Sequence, residues 1–96
     1  MTKISIDRWN FYFCSMNYYS YVIYNLENNR FYYGFTMDLK KAEKAHNLGQ
    51  IDQTRNYSGW TIVYQEGFAT KQEAIRRSRF YQSLAGQRFL KNILNF

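Results

Sequence analysis

The sequence predicts one small α+β domain, a three-stranded antiparallel sheet flanked by helices in the order β-β-α-β-α-α. Three observations point there. Ninety-six residues leave room for a single core. A hydrophobic fraction of 46% and an aromatic fraction of 21% supply enough apolar surface to offset ordering entropy, which excludes a disordered chain. Apolar residues recur with strand-like alternation in some segments and with helical spacing in others.

Residues 18–26 and 30–36 read as the first two strands, rich in Tyr, Val, Ile and Phe. Asn28-Asn29 between them suits a two-residue hairpin turn, since Asn tolerates positive φ. Val22, Tyr24, Leu26, Phe31, Tyr33 and Phe35 then share one face and are expected to pack on helices. Tyr19, Tyr21, Ile23, Tyr32, Gly34 and Thr36 share the other. A four-residue loop would shift the register but not the parity, so Tyr21 and Tyr32 stay together.

Residues 38–47 read as a helix, started by Asp38 or Thr36 and stopped at Asn47-Leu48-Gly49. Leu39, Ala42 and His46 fall on one of its faces, with Lys40, Lys41 and Lys44 largely elsewhere. Residues 50–59 form a polar loop, and 60–65 a third strand. Thr70-Lys71-Gln72-Glu73 matches a capping box that opens a helix to about residue 83. Ala74, Ser78 and Tyr81 share one side of it, and Arg76, Arg77 and Arg79 make it strongly basic. Gly86 is expected to break the helix. Phe89, Leu90, Ile93 and Leu94 then form the apolar stripe of a last helix. Residues 1–16 read as an N-terminal extension and 17–96 as the domain proper.

Composition narrows the function. Thirteen Lys and Arg against seven Asp and Glu give a net charge of +6. That balance fits an anionic partner, usually nucleic acid, or a surface that only confers solubility. One cysteine, Cys14, excludes an intramolecular disulfide and a cysteine-based zinc site, and favours a reducing, intracellular compartment. No apolar run approaches a membrane span. Phe, Tyr, Met, Ile, Asn and Lys far outnumber Gly, Ala, Arg and Pro, a bias of AT-rich genomes such as those of organelles or parasites.

Tyr19-Ser20-Tyr21, ten intervening residues and Tyr32-Tyr33-Gly34 resemble the paired tripeptides of the GIY-YIG nuclease family. The run from Gly34 to Lys41 with His46-Asn47-Leu48-Gly49 is similar to the family's first helix. Ser58-Gly59-Trp60-Thr61-Ile62-Val63-Tyr64 is similar to its third strand. Glu73-Ala74-Ile75-Arg76-Arg77 and Gly86-Gln87-Arg88-Phe89-Leu90-Lys91 are similar to its closing helices. The resemblance spans about residues 17–94 and is greatest to the stand-alone, one-domain, excinuclease-like subgroup.

The resemblance implies hydrolysis of a DNA phosphodiester with one divalent metal, held by a helix glutamate. It implies a first tyrosine that helps activate water, and a second tyrosine, an arginine and often a histidine that stabilise phosphate charge. Such groups suit a transition state with charge on its non-bridging oxygens. Tyr21, Tyr32 and His46 match the tyrosines and the histidine, and Gly34 the motif glycine. The arginine position holds Ala42 and the metal-glutamate position holds Ser78. Ala42 has no charge for a phosphate, and a lone hydroxyl is a poor ligand for Mg²⁺. The expectation is a retained fold with lost chemistry and no cofactor; Mg²⁺ is the cofactor if the site is active.

Each residue also has a plainer role open to it. Tyr21 and Tyr32 can be a cross-strand aromatic pair, and His46 a residue stabilised by the helix C-terminus. Arg76, Arg77 and Arg79 can be a solvated face, Trp60 a core residue, and Cys14 a small hydrophobe or bystander. Three functions remain: an inactive GIY-YIG-fold nucleic-acid-binding module, such as a subunit of a ribonucleoprotein like the ribosome; an active metal-dependent endonuclease; or a protein-interaction module using residues 1–16. For the first, phosphates are expected to meet Arg76, Arg77 and Arg79, supported by Lys40, Lys41, Lys44 and Arg88.

Overall fold

A computed structural model describes residues 17–94. The expected N-terminal extension, including Trp9, Phe11, Tyr12, Phe13 and Cys14, lies outside the described residues. The order is β1 (Tyr18–Asn25), β2 (Arg30–Thr36), α1 (Leu39–Asn47), β3 (Trp60–Phe68), α2 (Lys71–Gln82) and α3 (Leu84–Leu94). The sheet is antiparallel with β1 central, in the order β2-β1-β3. This is the α+β architecture expected.

The hairpin register pairs Asn25 with Arg30, so the turn has four residues rather than two. Asn25 accounts for this. Its side chain is buried, accepts from the Asn28 backbone N–H at 3.0 Å and donates to the Ser58 carbonyl at 2.6 Å. Holding Asn25 in the ladder opens the turn after it, and Asn29 takes the positive φ of 51°. Parity is unchanged. Tyr21 faces Gly34, Ile23 faces Tyr32 and Val22 faces Tyr33.

Helices cover both faces of the sheet. On one, α1 lays Leu39 and Ala42 against Tyr21, Ile23 and Trp60. On the other, α2 and α3 bring Tyr81 and Leu90 against Val22. Of the residues expected on this second face, Leu26 lies in the turn and is 79% exposed, and Phe35 keeps its parity but is 40% exposed. Phe35 sits at the end of β2 with the Lys71 ammonium 5.9 Å from its ring centroid.

The local start signals act as their chemistry dictates. Asp38 caps α1 by accepting from Lys41 N–H at 3.1 Å. Thr70 and Glu73 form the reciprocal capping box of α2. Strand β3 runs to Phe68, three residues beyond the expected end. A bulge beside Val22 and Ile23 leaves the Ile62 N–H free to donate to Glu43 on α1, at 2.9 Å.

Gly86 does not break a helix; it lies inside α3 and is buried. The break falls at Ser83, whose extended backbone ends α2 and whose hydroxyl accepts from Gly86 N–H at 3.1 Å. Gly86 is required by close approach instead. A Cβ there would overlap the Phe80 carbonyl.

Candidate functional site

Period-two alternation on β1 and β2 sends Tyr21 and Tyr32 to the α1 side of the sheet. Helical spacing on α1 sends Ala42 and His46 to meet them. Ala42 packs on the cluster of Tyr21, Ile23 and Trp60. The His46 ring centroid is 5.8 Å from that of Tyr21 and 4.9 Å from that of Tyr32. Tyr21 reaches His46 by lying across Gly34, where a Cβ would come within 2.8 Å of the phenol oxygen. The motif glycine is thus a steric requirement of the tyrosine opposite it.

His46 is fully buried and engaged through both nitrogens. Nε2 lies 2.8 Å from Tyr21 Oη, and Nδ1 lies 2.7 Å from Thr54 Oγ1. Thr54 is itself buried, with its hydroxyl 3.5 Å from the Ile51 carbonyl. A hydroxyl donating to that carbonyl accepts from Nδ1–H, which leaves Nε2 to accept from Tyr21. Trp60 fastens the loop holding Thr54, its indole N–H donating to the Thr54 and Tyr57 carbonyls. Asn47 ties the end of α1 to the start of β3, accepting from the Trp60 N–H at 2.6 Å and donating to the Trp60 carbonyl at 3.0 Å.

Burial lowers the His46 pKa below its ordinary value, so the imidazole is neutral at neutral pH. Burial also raises the Tyr21 phenol far above its ordinary value, with a further rise from nearby Tyr32. Tyr32 is raised by burial too. The result is a neutral Tyr–His–Thr chain that resists charge at each end. It can orient a phenol, but the phenolate needed to take a proton from water is scarce at neutral pH. His46 is thus neither a charged cap of α1 nor presented to solvent.

Of the five residues at family site positions, Tyr21, Tyr32, Ala42 and His46 are gathered on the α1 side. Ser78 belongs to α2, which packs on the opposite face. It is buried, and its hydroxyl donates back to the Ile75 carbonyl at 2.8 Å. Thr54 escapes a reading of the sequence because it sits in a polar loop with no periodicity. Its only signal there is proximity to the Gly59-Trp60 strand start.

The basic residues divide. Arg76 and Arg79 are exposed on α2, Arg88 on α3, and Lys40, Lys41 and Lys44 on α1, across the sheet from α2. Arg77 differs from its neighbours. Its Nε donates to Glu66 Oε1 at 2.7 Å, and its guanidinium lies 4.5 Å and 5.0 Å from the ring centroids of Phe80 and Phe89. Tyr81 donates to the same carboxylate and lies 3.3 Å from Ser20 Oγ. Arg77 is therefore part-buried and paired with Glu66, unlike the exposed Arg76 and Arg79.

Residues 17–92 match the GIY-YIG catalytic domain model. The UPF0213 protein YazA of Bacillus subtilis is 32% identical over 69 residues, covering 71% of this chain and 69% of its own. The UPF0213 proteins SH2523 of Staphylococcus haemolyticus and SSP2268 of Staphylococcus saprophyticus are 31% and 32% identical over 77 residues, each covering 79% of this chain and 93% of their own. No solved structure matches. No described helix is long and apolar enough to cross a membrane. With the family model spanning most of the chain and the elements in the same order, the chain belongs to the GIY-YIG catalytic domain family and carries a nuclease-like fold.

Proposed function

We propose that this chain is a nucleic-acid-binding GIY-YIG domain that does not cleave its ligand. One observation carries the reading: Ala42 and Ser78 stand at the family's arginine and metal-glutamate positions, so neither position supplies the guanidinium or the carboxylate that the chemistry needs. The carboxylates among the described residues lie elsewhere. Asp38 and Glu73 cap helices, Glu43 holds the Ile62 N–H, Asp52 pairs with Arg55 and Glu66 pairs with Arg77. Glu27 lies in the β1–β2 turn. Among the described residues no group of three His, Cys, Asp or Glu side chains could hold a metal ion. The donor set does not fit the Mg²⁺ of active members, which demands oxygen ligands and at least one carboxylate. Losing one donor to the transition-state oxyanion costs about 10²–10³ in rate, before the lost metal-ligand position is counted.

A net charge of +6 and the exposed arginines and lysines support binding through phosphates. The basic surface, the lost charges and the AT-biased composition fit a subunit of a ribonucleoprotein such as the ribosome, in an organelle or a parasite. The intact Tyr21–His46 bond favours the second reading, an active metal-dependent endonuclease. Incubation with plasmid, branched DNA and RNA in Mg²⁺ or Mn²⁺ separates them. The expected result is binding without cleavage above background. Metal-dependent cleavage that Tyr21→Phe abolishes would overturn inactivity and establish the nuclease.

A further inference from the structure

A second feature lies at the β2 edge and uses residues outside the family motif, Arg30 and Tyr57, beside the motif residue Tyr32. Beside Tyr32 the chain forms an open cavity of about 380 Å³. Thr54 and Trp60 lie at its buried end, Tyr32 and Tyr57 supply aromatic walls, and Arg30 and Gln53 are exposed at its rim. The Arg30 guanidinium stands over the Tyr57 ring, 5.3 Å from its centroid. No carboxylate lines the cavity, and among the described residues Arg30 has no acidic partner. This contrasts with Arg77, whose charge is spent on Glu66.

We propose that this cavity binds one unpaired nucleotide of a single-stranded nucleic acid, with Arg30 on its phosphate and the base against the tyrosine walls. The proposal rests on the nucleic-acid-binding reading and gives it a place. A guanidinium presents a planar fork of donors that matches phosphate oxygens and stacks on aromatic faces. Aromatic rings bind bases of any sequence, because every base has a π-face. The volume lies near the low end of small-ligand pockets, about 300–1,000 Å³. It admits one nucleotide, and a base stacked and paired in a duplex cannot enter. The cavity lies at the β2 edge, where Phe31 and Tyr33 also line it, and neither Arg76 nor Arg79 does, so its contribution is separable from theirs.

The test uses the full chain and two fluorescein-labelled probes, a 12-nucleotide oligouridylate and an RNA duplex of the same length, read by anisotropy. Arg30→Gln and Tyr57→Leu are each expected to weaken oligouridylate binding about tenfold, within the range of one lost base-stacking or phosphate contact. Duplex binding should change less than twofold. Tyr57→Phe, which keeps the ring, should bind as the wild type does. Arg30 is exposed, so circular dichroism of Arg30→Gln should match the wild type and keep the test interpretable if Tyr57→Leu unfolds. If Arg30→Gln leaves oligouridylate binding within twofold, the pocket is overturned while the wider reading stands. Equal loss on both probes also overturns it, since Arg30 would then be one charge in a general basic surface. A wild-type chain that binds neither probe overturns both readings.

Discussion

The Tyr21 hydroxyl lies 2.8 Å from His46 Nε2, a bond between the centre of the sheet and the last turn of α1. It spans 25 residues of sequence and is sealed from solvent. Removing either partner leaves the other a buried polar atom without its bond, which costs about 1–3 kcal/mol. Tyr21→Phe and His46→Leu are each expected to destabilise the fold by that amount. Their double variant should lose about 1 kcal/mol less than the sum. Urea unfolding of the four proteins measures the coupling.

The same histidine makes stability depend on pH. Burial lowers its folded-state pKa, while the unfolded chain takes up a proton near the ordinary value of about 6.5. Below that value the unfolded state binds more protons than the folded one. Stability is therefore held above about pH 6.5 and lost as pH falls toward the depressed folded pKa. The slope can reach about 1.4 kcal/mol per pH unit. Denaturant midpoints between pH 7.5 and 5.5 should fall for the wild type and stay nearly level for His46→Gln.

Two glycines should be intolerant of a methyl group for different reasons. At Gly34 an added Cβ meets the Tyr21 hydroxyl, the end of a side chain that can move by breaking its bond to His46. At Gly86 it meets backbone, the Phe80 carbonyl, which cannot move without separating α2 from α3. Gly34→Ala is expected to cost about 1–3 kcal/mol. Gly86→Ala should cost more, beyond about 3 kcal/mol. Thermal melts of the pair give the order directly.

The arginines of α2 should separate by what they do. Arg77→Gln removes the partner of Glu66 and the cation over Phe80 and Phe89, and should cost about 1.5–3 kcal/mol of stability. Its effect on the salt dependence of nucleic-acid binding should be small. Arg76→Gln with Arg79→Gln should change stability by less than about 0.5 kcal/mol per site. That pair should flatten the log–log salt slope by about 1.4–1.8. A slope changed more by Arg77→Gln would show that the Glu66 pair opens on binding.

What the sequence determined by itself is local. Alternation along β1 and β2 placed Tyr21 and Tyr32 on one face whatever the turn length, because a strand's side chains repeat every two residues. Asp38 and the Thr70–Glu73 pair marked two helix starts, since each cap is made within four residues of chain. The tertiary structure decided the rest through contacts that have no local signature. Asn25 lengthened the hairpin turn by reaching Ser58 across the fold. Gly86 carried the mark of a helix breaker, yet close packing against Phe80 makes it a helix residue. Arg77 sits in a run of like residues, and only the strand beneath it, bearing Glu66, turns it inward. His46 had two open roles, and its neutral, buried state follows from the approach of Tyr21 and Thr54, groups brought near only when the sheet and the loop close around it. A favourable cap saves its free energy within one turn of chain, whereas desolvating a histidine depends on every element packed around it.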